Sequence, residues 1–174
     1  MTLTDELRPF LTDMDNCLKN GQYNAALFVA LALPDICSST DKTRFGNSVG
    51  KRYRRWIDEY FIKQNGYDEK VTMNSDDVYL LRCAYLHSGL NTLNRKSVTN
   101  VISRFEFVVS PSKRILAHKN LIRKGDIDTL QLDINKYCHE IKKSVESYIY
   151  EIDSNQKIKG ASIHILKIKN IDKE

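Results

Sequence analysis

The sequence lacks the features that mark several well-known classes of protein. Its four cysteines stand apart at positions 17, 37, 83 and 138, and none forms the C-x-x-C pair of a zinc or redox site. Each cysteine lies in a helical apolar pattern, so we expect reduced, buried thiols and a cytoplasmic protein. The longest apolar run, residues 25–34, is much shorter than the roughly 18 residues that a membrane-spanning helix needs, so no membrane contact is expected.

The sequence also shows no metal-binding motif, no secretory signal and no internal repeat. Three of the histidines, at positions 118, 139 and 164, are scattered and lack metal-ligand spacing, so we expect no metal site and no cofactor. The first residues have neither a basic start nor an apolar core, so no secretory signal is expected. We find no internal repeat and no low-complexity segment.

The composition is that of an ordinary globular domain with a mild positive charge. Hydrophobic residues make up 41% and charged residues 28% of 174 residues, which excludes wholesale disorder and suffices for one domain with a buried core. The formal net charge of +5 permits an anionic partner such as RNA without requiring one.

Hydrophobic periodicity predicts a mainly helical chain. The second predicted helix contains Pro34, which we expect to kink or loosen it because proline removes a backbone donor. A polar loop over residues 38–47 separates the second helix from the third. The first predicted helix begins at about Thr4 or Pro9 and ends at Lys19, and the others cover about residues 23–37, 48–64, 75–89 and 133–152.

Between the last two helices the pattern changes to alternating apolar residues, which is typical of strands. It predicts strands at about 103–109, 114–122 and 128–132, forming a small antiparallel sheet. The predicted fold is mainly α (α+β), a bundle of about five helices with this sheet inserted before the last long helix. We expect one domain over residues 1–174, with the bundle at about 4–92 and 133–152. The β insertion lies at about 101–132, and a tail at 153–174 carries a last apolar alternation, Ile163 and Ile165.

The fourth predicted helix, Ser75 to Gly89, carries the most informative residues. Ser75 with the two acids after it is a helix-start signal, and Gly89 is a stop signal. The residues between are apolar on nearly every side, which predicts a buried helix. Arg82 and His87 would then lie in or beside a desolvated environment, where a charge needs a partner or a chemical role.

Arg82 and His87 form an R-x4-H motif in Leu-Arg-Cys-Ala-Tyr-Leu-His-Ser-Gly, which resembles the R-x4-6-H signature of the HEPN superfamily. The upstream Ala-Leu-Ala-Leu-Pro-Asp-Ile-Cys, with its distance to the motif, is similar to a group of bacterial proteins related to that superfamily. The resemblance covers roughly residues 1–95 and the last long helix. It implies an all-helical domain of a kind that often acts as a dimeric, metal-independent endoribonuclease in toxin–antitoxin and antiphage systems.

The resemblance implies that Arg82 and His87 are the catalytic residues of a homodimer. The Arg82 guanidinium could fork onto a phosphate, and the His87 imidazole suits proton transfer. Positions five apart on a helix point about 140° away from each other. The two side chains would therefore converge through the length of Arg82, fraying at His87, or a second subunit. An antitoxin protein is a possible further partner.

Cys83 departs from this family pattern, because active members usually carry Asn, Asp or His directly after the arginine. The alternative hypothesis is a non-catalytic HEPN-like module for dimerisation or for binding RNA or a partner. In a purely structural interpretation, Arg82 pairs with Asp35 or with the acids at 76 and 77, and His87 bonds a helix-end carbonyl. Cys83 and His87 also have the i, i+4 spacing of a thiol–imidazole pair, but a core thiol is the favoured interpretation.

The basic run on the third helix is the candidate surface for RNA phosphates. Lys51, Arg54 and Arg55 belong to a run over residues 51–56 that mixes basic and aromatic side chains, as surfaces that bind RNA do. The alternative is a solvated helix face, because Arg54–Asp58 and Arg55–Glu59 have the spacing of helical ion pairs.

Overall fold

The computed structural model describes residues 2–67, 72–90, 103–110, 117–155 and 165. It confirms a mainly helical fold with a small three-stranded sheet before the last long helix. The predicted strand residues 114–116, together with Ile163 and His164, lie outside the described residues. Within the described part of the chain, no helix has the length and apolarity needed to cross a membrane.

The first two helices form an antiparallel pair. α1 (Leu3–Lys19) begins with a capping box, in which the side chains of Thr2 and Asp5 bond each other's backbone N–H groups. α2 (Tyr23–Thr40) continues for six residues after Pro34. Asp153, near the end of the last helix, accepts backbone N–H bonds from the first turn of α1 and so closes the bundle.

The predicted loop at 38–47 is wrong for most of its length, because α2 reaches Thr40 and a short α3 (Lys42–Phe45) follows at once. The hydroxyls of Ser38, Ser39 and Thr40 bond backbone carbonyls three residues earlier, which satisfies them inside the helix. Their polar character therefore did not end α2 where we predicted.

The third predicted helix is continuous but contains an irregular turn. It consists of α4 (Val49–Trp56), a π-helical segment (Ile57–Ile62) and α5 (Lys63–Asn65), and ends at Gly66 in the left-handed conformation. The wider π turn occurs where buried residues crowd one stretch, namely Trp56, Ile57, Tyr60, Phe61 and Ile62.

The remaining elements are α6 (Ser75–Ser88), β1 (Arg104–Val108), β2 (Asn120–Lys124), β3 (Ile127–Asp133) and α7 (Ile134–Ser154). The sheet order is β1–β3–β2. β2 pairs antiparallel with β3, as predicted, but β1 pairs parallel with β3, so the sheet is mixed. Apolar alternation is the same for parallel and antiparallel strands, so it could not distinguish them.

An aromatic core joins the sheet to the helices. The Tyr137 ring of α7 packs edge-on against Phe107 of β1 and Phe61 of the π segment, with centroid distances of 5.2 and 5.5 Å. Trp56, Tyr60 and Tyr148 form a second group beside it. α6 packs against α2, α4 and the π segment.

Candidate functional site

The ends of α6 match the signals in the sequence. Asn74, one residue before the predicted start, is the N-cap, and it forms a capping box with Asp77. Gly89 adopts the left-handed conformation with φ +65°, and its N–H bonds the Tyr85 carbonyl. These caps fix the length of α6 and place His87 in its last turn.

The prediction that α6 is buried on nearly every side is wrong. Ser75, Asp77, Val78 and Leu81 are buried, but residues 82–86 are only half-buried and residues 87–90 are exposed. Among the described residues, α6 packs against α2, α4 and the π segment. The second half of α6 is therefore only partly covered, with Arg82 half-buried and His87 exposed.

The side chains of Arg82 and His87 meet although they start on different sides of the helix. Nη1 of Arg82 lies 3.5 Å from Nε2 of His87 and 3.9 Å from Sγ of Cys83. The length of the arginine side chain thus brings the pair together within one copy of the chain. Nη1 of Arg82 therefore lies beside both the Cys83 sulfur and the His87 ring.

Asp35 on α2 forms the other half of this cluster. Its Oδ2 lies 2.6 Å from Nη2 of Arg82, and both side chains are mostly buried, with 16% and 19% of their surfaces exposed. Burial opposes the charge on Arg82, but the Asp35 carboxylate and the Cys83 side chain together outweigh it and hold the arginine pKa above its ordinary value. The ion pair expected in the structural interpretation therefore coexists with the Arg82–His87 contact.

Two tyrosines beside the motif were missed in the sequence. Tyr79, one turn before Cys83, has its pKa raised by burial and by the neighbouring Cys83 thiol. Its ring packs 5.6 Å from that of Tyr53, whose hydroxyl bonds the Leu31 carbonyl inside the bundle. The i, i+4 spacing of Tyr79 and Cys83 was the signal that could have identified this contact.

The basic run of α4 divides into structural and solvent-facing residues. Arg54 forms an ion pair with Asp76 at the start of α6, and its guanidinium lies 4.0 Å from the centre of the Tyr79 ring. Lys51 and Arg55 are exposed one turn apart and remain candidates for phosphate contacts.

Glu59, which has helical ion-pair spacing from Arg55, pairs with a different arginine. It forms an ion pair with Arg44 of α3 at 3.1 Å, and Arg44 also bonds Glu151 of α7 at 2.6 Å. The predicted Arg55–Glu59 pairing is not the one that forms. These carboxylates instead connect α3, the π segment and α7.

An apolar surface adjoins the cluster. Phe28 on α2 is 43% exposed, and its ring lies 5.0 Å from that of Tyr85 on α6. The Tyr85 hydroxyl bonds Asn24, so both aromatic rings are held at the junction of the two helices. Leu90, also exposed, follows directly after the cap of α6.

The four cysteines are free, but only two of them are buried as predicted. Cys37 and Cys138 are buried, and burial raises the pKa of each thiol. Cys17 and Cys83 are half-buried. Among the residues that the structure describes, no three His, Cys, Asp or Glu side chains cluster closely enough to hold a metal ion.

One of the scattered histidines belongs to a buried polar cluster instead. His118 and Lys119, just before β2, contact Oε1 of Glu140 on α7 at 3.2 and 2.8 Å. Nδ1 of His118 accepts a bond from the Asp133 N–H, so its Nε2 carries the proton towards Glu140. The cluster ties the sheet to the bundle, and it was not predicted because its members are distant in sequence.

The chain has no match among family models, curated proteins or solved structures. The cluster on α6 is therefore interpreted from its geometry and from the resemblance of its motif to the R-x4-6-H signature.

Proposed function

We propose that the chain is a HEPN-type endoribonuclease that acts as a homodimer in a toxin or defence system, without a metal ion. The observation that supports this function best is the 3.5 Å contact between Nη1 of Arg82 and Nε2 of His87 on an accessible surface. A permanent cation beside an imidazole is the pair that phosphodiester transesterification needs.

In the proposed reaction the RNA 2′-hydroxyl attacks the adjacent phosphorus. The imidazole of one His87 accepts the hydroxyl proton as the O2′–P bond forms. The P–O5′ bond breaks, and the departing O5′ takes a proton from the second copy's imidazole. The products are a 2′,3′-cyclic phosphate and a 5′-hydroxyl. Arg82 stabilises the negative charge that develops on the phosphoryl oxygens.

The dimer in this proposal uses the apolar surface of α2 and α6. Phe28 and Tyr85 present a large aromatic area next to the Arg82–His87 edge. Two small apolar residues, Ala25 and Ala32, lie on the same outward side of α2 as Phe28. A contiguous apolar surface is unfavourable in water and favours association. A second copy seated there would bring two arginines and two histidines around one cleft.

A second candidate function is supported by the Asp35–Arg82 ion pair. The carboxylate already neutralises the guanidinium, and Cys83 supplies only a weak hydrogen-bonding group beside it. Both features suit a non-catalytic HEPN-like module for dimerisation or for binding RNA or a partner.

Incubation of purified protein with mixed RNA in EDTA distinguishes the two functions. The wild type is expected to cleave RNA to 2′,3′-cyclic phosphate and 5′-hydroxyl ends, and Arg82→Ala and His87→Ala to lose at least 100-fold in rate. His139→Ala is the matched control, because His139 is exposed on α7 away from the cluster. RNA binding without cleavage supports the module. Cleavage that both α6 variants retain rules out the RNase.

A further inference from the structure

Asp35 stands out because its buried carboxylate depends on one side chain. It follows Pro34 within α2, and its Oδ2 lies 2.6 Å from Nη2 of Arg82. Among the described residues, neither oxygen of the carboxylate has another hydrogen-bond donor. A largely desolvated carboxylate without a cation is strongly unfavourable, so Asp35 confines the Arg82 guanidinium to this location.

The ion pair also determines which edge of Arg82 remains available. Nη2 faces Asp35, and Nε is buried without a hydrogen-bond partner in the described residues. Nη1 faces Cys83 and His87. Arg82 and His87 diverge by about 140° at their backbones. The length of the arginine side chain spans that divergence, and the contact from Asp35 on α2 holds the guanidinium where Nη1 meets the imidazole.

We infer that Asp35 is the positioning residue of the Arg82–His87 pair, an inference that rests on the proposed ribonuclease function. It holds Nη2 so that the Nη1 edge stays beside the imidazole, where the phosphate would bind. A carboxylate that only neutralised Arg82 would have the opposite effect, because it would repel phosphate and inhibit the reaction. The two roles predict opposite changes when the carboxylate is removed.

The kinetic test compares Asp35→Asn, which removes the charge, with Asp35→Glu, which keeps it. For RNA cleavage we expect Asp35→Asn to lower kcat at least tenfold with KM changed less than threefold, and Asp35→Glu to recover part of the loss. Asp15→Asn is the matched control, because Asp15 pairs with Lys142 between α1 and α7 at 2.5 Å. An unchanged or increased kcat in Asp35→Asn would overturn the positioning role.

A second measurement does not depend on cleavage. NMR of ¹⁵N-labelled arginine side chains is expected to show hindered rotation of the Arg82 guanidinium and an NOE to the His87 ring in the wild type and in Asp15→Asn. Both signals should be lost in Asp35→Asn and retained in Asp35→Glu. If the wild type cleaves no RNA, the ribonuclease proposal fails, while these spectra still decide the positioning role. An NOE that persists in Asp35→Asn contradicts it.

Discussion

The hydroxyl of Tyr67 donates a hydrogen bond of 2.6 Å to Oε2 of Glu140. The other carboxylate oxygen, Oε1, contacts His118 and Lys119, which precede β2. Lys119 also bonds the Asn65 carbonyl at 2.5 Å, at the end of α5. One carboxylate on α7 thus connects this helix to the residue that follows the third helix and to the residues that precede β2. The Glu140 side chain is mostly buried, with 16% of its surface exposed.

Replacing Glu140 by Gln should destabilise the fold and change how stability depends on pH. Burial raises the pKa of Glu140, but hydrogen bonds from His118, Lys119 and Tyr67 outweigh it, so the pKa lies below its ordinary value. Its stabilisation is therefore present above the unfolded pKa, about 4.3, and is lost as pH falls through the folded value. We expect a loss of about 2 kcal/mol at pH 7, measured by urea unfolding.

The matched control for this change is Glu146→Gln, an exposed carboxylate on the same helix. It should alter the free energy of unfolding by less than about 0.5 kcal/mol. The difference between the wild type and Glu140→Gln should shrink as pH falls below about 4. A difference that stays constant down to pH 2 would contradict the assigned charge interaction.

Replacing Phe28 by Asp should disrupt the proposed homodimer. The ring is exposed beside Tyr85, and a carboxylate in that position would be desolvated against aromatic side chains in the interface. We expect the dimer dissociation constant to rise at least tenfold, measured by sedimentation equilibrium. Tyr150→Asp, at a residue 76% exposed on α7, is the control and should leave the constant unchanged. A wild type that is monomeric at high concentration would rule out the dimer.

Replacing Cys83 by Asn should increase RNA cleavage. The Cys83 sulfur is a weak acceptor 3.9 Å from Nη1 of Arg82, whereas an amide oxygen accepts a charge-assisted bond from a guanidinium. We expect a rise in kcat of about threefold, which corresponds to less than 1 kcal/mol. Cys17→Asn, at a half-buried thiol on α1, is the reference and should not change the rate. A large decrease in Cys83→Asn would show that the thiol itself takes part in the reaction.

Replacing Arg54 and Arg55 one at a time should separate stability from RNA affinity. Arg54→Ala removes the Asp76 ion pair and the contact with Tyr79, so we expect a loss of about 1 kcal/mol in unfolding free energy. Arg55→Ala, at an exposed residue, should change stability by less than about 0.5 kcal/mol.

In RNA-binding titrations, Arg55→Ala should reduce the slope of log affinity against log salt by about 0.7, because one phosphate contact is lost. Fluorescence anisotropy with single-stranded RNA over a series of salt concentrations measures that slope. An unchanged slope in Arg55→Ala and also in Lys51→Ala would remove α4 from the RNA-binding surface. The basic run would then have a structural role, through the ion pair of Arg54 with Asp76, and no role in RNA binding.

The sequence by itself determined the five long helices, though not the end of α2 or the short α3, since apolar spacing and end signals act locally. The start and stop of α6 and the amphipathic stripe of α7 followed from residues within each element. The parallel pairing of β1 with β3 and the exposed second half of α6 did not, because both depend on which elements pack together. Local patterns describe one helix or strand at a time and contain no information about its neighbours.

The candidate site shows the same division. The sequence identified Arg82 and His87 as unusual residues on an apolar helix, but helical geometry alone pointed their side chains apart. Only the tertiary structure showed that the two side chains meet and that Arg82 is also bound from another helix, because packing of α2 against α6 brings Asp35 to Nη2 while Nη1 lies beside the imidazole. An ion pair between two helices is fixed by their packing and is invisible in the spacing of either one.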